Sequence, residues 1–108
     1  MAQDFERYIQ RNVGTSAVTV HTSNSDDAII SIRCANTTTS TINIDVFIND
    51  GSNDYYLIKN CPIVSGGSLE LIDGGSKIVM HNNDILKAKS DTASSLDVWA
   101  SFVDAIST

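Results

Sequence analysis

Two histidines, His21 and His81, are the candidates for acid–base or nucleophilic chemistry in this sequence. Catalysis of that kind places a serine or cysteine beside a histidine base that an acidic side chain orients. His21 follows Thr19 on the polar side of an alternating run, and His81 opens an Asn-rich turn, so we expect both rings to face solvent. The sequence therefore predicts no catalytic residue and no enzymatic activity.

Carboxylates occur in pairs, Asp26 with Asp27 and Asp50 with Asp54, and glycosidases need two such groups around the bond they cleave. Asp and Asn are also preferred turn residues, because their side chains bond the local backbone, and we favour that role here. Residues 49–54 place oxygen donors around a glycine as calcium loops do. The bidentate Glu of an EF-hand is missing and the flanks are predicted strands, so we expect no metal and no cofactor.

The two cysteines, Cys34 and Cys61, lack the Cys-x-x-Cys spacing of zinc sites and are too few for a disulfide scaffold. Cys34 shares one side of an alternating run with Ile30 and Ile32, which predicts a small packed hydrophobe. Synthesis in a cytoplasm, which we expect, favours two free thiols.

The elements that carry these side chains are predicted by alternation of apolar and polar residues. Ile and Val together number 21 against 5 Leu, a composition that favours β-strands over helices. Roughly eight or nine strands are expected. The clearest alternation spans residues 41–50 and 96–103, and shorter runs centre on Val18 and Val20, Ile30 to Cys34, Tyr56 and Ile58, Leu69 and Leu71, Ile78 and Met80, and Leu86 and Ala88.

The predicted fold class is an all-β antiparallel β-sandwich, either a jelly roll or Ig-like. Asp50-Gly51 and Asp73-Gly74 predict hairpin turns, because glycine takes a positive φ without steric cost. Residues 5–13 fit both helical and strand periods, and we favour the strand. We expect residues 1–108 to form a single domain in which residues 1–13 could serve as an N-terminal arm.

The net charge of -6 disfavours nucleic acid as a partner, because polyphosphate repels an acidic surface. No window approaches the ~20 apolar residues of a membrane span, and the N-terminus lacks the apolar core of a secretory signal. A soluble protein that binds neither membrane nor nucleic acid is expected.

Aromatic side chains are the candidates for contact with other proteins. Alternation places Trp99, Tyr55 and Phe47 opposite the core faces of their strands. We expect Trp99 to be buried at a subunit contact or beneath the N-terminal segment around Phe5 and Tyr8, outside the main core. Assembly as a homo-oligomer, a trimer or a ring, would cover these side chains and the sheet edges.

Residues 29–50, 55–63 and 66–71, together with a last strand in which Asp97 and Trp99 flank Val98, carry a resemblance. Over roughly residues 8 to 104 the chain resembles small virion structural proteins of tailed phages, especially contractile-tailed phages of cyanobacteria. The resemblance implies a capsid decoration or cement protein that binds the major capsid protein or other virion proteins in many copies. A neck, tail or fibre subunit is the first alternative. A carbohydrate-binding module that stacks sugars on Tyr55, Tyr56 or Trp99 is the second, although we do not expect a glycan partner.

Overall fold

The described part of the chain forms nine β-strands, as seen in a computed structural model that describes residues 4–72 and 77–104. No segment in these two ranges is a helix of the length and hydropathy needed to cross a membrane. The strands are β1 (Asp4–Val13), β2 (Val18–Thr22), β3 (Asp27–Asn36), β4 (Ile42–Asn49), β5 (Asp54–Ile63), β6 (Ser68–Glu70), β7 (Ile78–Met80), β8 (Ile85–Ser90) and β9 (Leu96–Asp104).

The strands pair into two antiparallel sheets, which confirms the all-β sandwich. The five-stranded sheet has the order β1-β9-β3-β6, with β7 also paired to β3, and the four-stranded sheet has the order β2-β8-β4-β5. When the short β7 is set aside, the first and last strands lie side by side in one sheet, and successive strands alternate between the sheets except at the β4–β5 hairpin. This is the strand order of a jelly roll rather than of an Ig domain.

The core lies between the two sheets and is built mainly from the β-branched residues that dominate the composition. Cross-strand neighbours share a face, so the alternation along each strand selects its buried side chains. The fully buried members include Ile29, Ile32, Cys34, Ile42, Ile44, Val46, Met80, Leu86, Leu96, Ala100 and Phe102. A register shift between Ile29 and Ser31 places Ile29 in the core, where simple alternation predicted Ile30.

The two predicted hairpin turns have different outcomes. The β4–β5 hairpin is confirmed, and Gly51 adopts a φ of 102° in its turn. The predicted Asp73-Gly74 turn lies outside the described residues. The strands on either side of it, β6 and β7, both pair with β3.

The N-terminal segment Asp4–Val13 is a strand, as favoured, and pairs along its length with β9. The pairing shifts register near Asn12, whose φ is 56° and whose amide donates to the Asp97 carboxylate at 3.0 Å. Beyond the shift Val13 turns into the core with 1% exposure. The β1 strand therefore forms one edge of the five-stranded sheet.

The prediction that His21 faces solvent is wrong. A register shift between Thr19 and His21 turns the ring inward, where its Nε2 lies 2.9 Å from the Asp27 carboxylate. The ring stacks on Tyr8 at 3.7 Å between centroids and meets the edge of Phe102. The side chains of His21 and Asp27 are 8% and 1% exposed, so this pair lies inside the sandwich. His81, with a side chain that is 76% exposed, faces solvent as predicted.

Cys34 is fully buried, as predicted, and both cysteines are free thiols. Burial raises the pKa of Cys34 to about 12. Because the thiolate is the reactive species, we expect iodoacetamide at pH 8 to alkylate native protein at Cys61 alone. Mass spectrometry of the labelled peptides would measure this. Native Cys61→Ser protein should stay unlabelled until denaturant is added, and rapid labelling of that variant would contradict the buried placement.

Candidate interaction surface

The outward side of the five-stranded sheet concentrates the exposed apolar side chains. Seven large hydrophobic residues are exposed in the described chain, and four of them lie on this side: Phe5 (81%), Ile9 (46%), Val79 (51%) and Trp99 (50%). The strand register aligns them. Ile9 pairs with Trp99, and Phe5 and Val79 lie in one cross-strand row, in which Phe5 pairs with Val103, Val103 with Ala28, and Ala28 with Val79. We call this side the Trp99 face. An exposed apolar face of this kind is typical of an interaction site.

A groove with a volume of about 520 Å³ crosses the Trp99 face. This volume falls within the roughly 300–1,000 Å³ of pockets that hold small ligands, so the groove can accept several side chains of a partner. We call it the Trp99 groove. It is lined by Ile9, Gln10, Arg11, Arg33, Ala35, Asp97, Val98 and Trp99.

Charge on the Trp99 face differs from charge on the chain as a whole. All three arginines of the sequence, Arg7, Arg11 and Arg33, are carried by β1 and β3 and lie around Trp99, although the net charge is -6. The Arg7 guanidinium lies 5.0 Å from the centroid of the Trp99 ring, a cation–π contact. Neither Arg7 nor Arg11 has a carboxylate within 4.0 Å among the described residues.

Arg33 is the arginine of this group that has an ion-pair partner within the described chain, since its Nη2 lies 3.8 Å from the Glu70 carboxylate. Glu70 also accepts hydrogen bonds from the Ser31 hydroxyl at 2.6 Å and the Ile32 amide at 2.9 Å. Burial alone would raise the pKa of Glu70, but these bonds, a third from the Ile72 amide and the charge of Arg33 lower it. Glu70 therefore stays ionised and holds Arg33 at one end of the groove.

The predicted contact residues do not lie together. Trp99 and Phe5 share the Trp99 face, and Trp99 is outside the core cluster. Trp99 is half exposed beside Ile9 rather than beneath Phe5 and Tyr8. Tyr8 points inward, where it contacts His21 and Phe102. Their role in protein contact stays a prediction.

Phe47 and the two tyrosines of β5 lie on the other sheet. Phe47 points away from the core cluster as predicted but is only 5% exposed, with the Tyr56 ring 5.0 Å from its own. A register shift after Val46 pairs Tyr56 with Phe47 and Tyr55 with Ile48, so Tyr56 rather than Tyr55 lies on the outer side. Tyr55 is nevertheless 56% exposed near the β4–β5 turn.

Ile9, Val79 and the three arginines belong to the surface but were not predicted as contact residues. Arg7, Ile9 and Arg11 stand at alternate positions of β1. Their convergence with Arg33 and Trp99 depends on the pairing of β1 and β3 with β9, which joins strands far apart in sequence.

The acidic turns use their carboxylates locally. In the β4–β5 turn, Asp50 accepts the amides of Ser52 and Asn53 at 3.0 and 2.8 Å, and Asp54 accepts from Asn49 at 2.7 Å. This is the turn role that the sequence favoured. No group of three or more metal-ligating side chains occurs within residues 4–72 and 77–104.

Comparisons with known proteins reveal similarity of fold. No protein family model matches the sequence, and no curated protein does. A solved structure described as "Bacillus endospore appendages form a novel family of disulfide-linked pili" is similar with a TM-score of 0.55 at 15% identity, covering 98% of this chain and 88% of that one. A pentameric capsid protein from metagenomic phage sequences is similar with a TM-score of 0.51 at 16% identity over 94% of this chain. This chain spans 63% of the length of that capsid chain.

Proposed function

We propose that this chain is a non-enzymatic bacteriophage virion protein, a capsid decoration or cement subunit that acts in many copies. The Trp99 face carries the proposal: a β-sandwich exposes Trp99, Ile9, Phe5 and Val79 on one sheet. A stable isolated domain gains nothing from exposing such a face, whereas a subunit gains an adhesive surface. Bound at symmetry-related sites, each copy would bury apolar area across subunit joints and resist internal pressure.

The fold supports the same function. Jelly rolls recur in viral capsid proteins, and one of the similar structures is a phage capsid protein described as pentameric. The buried His21–Asp27 pair packs against Tyr8 and Phe102, so it serves stability in this proposal and not catalysis. The sequence resemblance to virion proteins of tailed phages also supports a role as a virion subunit.

Copy number tests the proposal. In purified virions of a phage that encodes this chain, we expect quantitative mass spectrometry to find on the order of hundreds of copies per particle, because a capsid shell repeats its sites. The major capsid protein provides the internal standard. About a dozen copies would favour the neck, tail or fibre alternative, and absence from the particle would overturn the virion assignment.

A carbohydrate-binding module is the second candidate, and the Trp99 groove is the observation that favours it. A half-exposed indole beside Asp97 and Arg33 offers a stacking surface with polar groups at its rim. The Arg7 guanidinium over the Trp99 ring weighs against it, because that contact occupies a ring face. A glycan array probed with the wild-type chain would decide, and binding that is lost in Trp99→Ala would support the module.

A further inference from the structure

The β4–β5 turn complements the Trp99 groove in both charge and chemistry. It carries the carboxylates of Asp50 and Asp54, and Tyr55 and Tyr56 beside it are 56% and 43% exposed. Tyrosine, tryptophan and arginine are the residues that concentrate binding energy at interfaces. One surface of this chain therefore offers arginines beside an apolar groove, in which the Asp97 carboxylate accepts the Asn12 amide. Another surface offers carboxylates with aromatic rings.

One copy of the chain cannot bring these two surfaces together. The Trp99 groove lies on the outer side of the five-stranded sheet, while β4 and β5 belong to the four-stranded sheet across the core. Contact between them needs a second molecule. We propose that the Trp99 groove receives the β4–β5 turn of a second copy, with Asp50 and Asp54 pairing Arg7 and Arg11 and Tyr55 packing against Trp99 and Ile9.

Local hydrogen bonds prepare the turn for this contact. Backbone amides of Asn53 and Ser52 lower the pKa of Asp50, so its carboxylate stays charged under mildly acidic conditions. The same bonds fix the turn before binding, which reduces the conformational entropy lost on association. Arg7 and Arg11, which lack ion pairs within the described residues, provide the opposite charge.

Other acidic turns of the described chain fit the groove less well because no exposed tyrosine adjoins their carboxylates. Asp26 lies 2.8 Å from His81, and Asp84 accepts the His81 amide at 2.9 Å. Asp91 accepts the Asn43 amide at 3.1 Å. The β4–β5 turn is distinguished by the two exposed tyrosines that adjoin its carboxylates.

Contact between two different surfaces is heterologous, so each copy keeps one free groove and one free turn. Repetition of such a contact closes into a ring when the rotation between copies allows it and otherwise extends into a filament. This inference rests on the proposed function as a repeated subunit and specifies the contact between copies. It is nevertheless tested with the purified full chain alone.

The test uses two charge variants and mixes them. The groove variant is Arg7→Glu with Arg11→Glu. The turn variant is Asp50→Asn with Asp54→Lys, since Asn keeps the oxygen that accepts the turn amides. Sedimentation velocity at low salt should show self-association of the wild type, weakened about 10-fold or more in each variant. The variants mixed together should form a dimer, because each retains the surface that the other has lost.

Lys87→Glu with Lys89→Glu is the matched control, since it makes the same charge change on the outer side of the four-stranded sheet. It should associate as the wild type does. Wild-type association that neither variant changes, or a mixture that forms no dimer, would overturn the proposed contact and leave the virion function standing. A wild type that stays monomeric at about 1 mM would also overturn the contact, while the copy number in virions would decide the function separately.

Discussion

Trp99→Ala is expected to remain folded and to lose most of its self-association. Trp99 is half exposed and lies outside the core cluster, so its removal leaves little cavity in the monomer. The monomer loses the cation–π contact with Arg7, which is worth about 0.5–1 kcal/mol at an exposed site. At the proposed contact the indole lines the groove that receives the turn, and aromatic anchors of this kind cost about 2–4 kcal/mol when truncated. Association should therefore weaken about 30-fold or more.

Two measurements separate these effects: urea denaturation of the monomer and sedimentation velocity over a concentration series. Trp99→Phe is the matched variant, because it keeps a ring in the groove, and it should retain more of the association than Trp99→Ala. Val64→Ala, at a residue that is 67% exposed in the segment between β5 and β6, should change neither quantity. If Trp99→Ala unfolds while the association of the folded fraction is unchanged, Trp99 acts in the fold and not at a contact.

Asp27→Ala is expected to destabilise the fold by about 3–5 kcal/mol, because it leaves three buried or partly buried donors without their acceptor, at about 1–3 kcal/mol each. Asp27 is 1% exposed and accepts hydrogen bonds from Ser23 Oγ at 2.8 Å and Ser25 Oγ at 3.1 Å. His21 Nε2 lies 2.9 Å from the same carboxylate. The alanine variant leaves these donors without their acceptor inside the sandwich.

Asp26→Ala is a control at the adjacent residue. Asp26 pairs with His81 at the surface, where the two side chains are 33% and 76% exposed, and exposed pairs of this kind contribute little to stability. Thermal and urea unfolding followed by circular dichroism would compare the two variants. Since small domains have about 5–15 kcal/mol of total stability, Asp27→Ala should fall to a marginal state. Equal stabilities of the two variants would contradict a structural role for the buried pair.

Polar contacts inside the fold were the least predictable from sequence. Alternation placed His21 on the polar side of its strand, because Thr19 precedes it by two residues. The register shift in β2 instead turns the His21 ring toward the core. The shift in β3 likewise exchanges Ile30 for Ile29 in the core, and the one in β5 exchanges Tyr55 for Tyr56 on the outer side. An extra residue in one strand moves every later side chain of that strand to the opposite face of the sheet. The alternation of apolar and polar residues within a single strand does not show where such an insertion occurs.

The sequence by itself determined the fold class and the approximate strands of this protein. Ile and Val that alternate with polar residues at period two favour strands that bury one face. The Asp50-Gly51 turn predicted the hairpin that joins β4 and β5. The sequence also placed Trp99 outside the core. Its apolar neighbours Val98 and Ala100 take the core-facing positions of the strand, so Trp99 faces the other side.

The tertiary structure decided the jelly-roll strand order and the composition of the Trp99 face. The pairs β1 with β9 and β3 with β9 join residues more than sixty positions apart, such as Ile9 and Arg33 with Trp99. Many strand orders bury the same apolar sides, so the pattern along the chain does not select among them. The choice depends on how both sheets pack on one core, and that choice brings the three arginines around one indole.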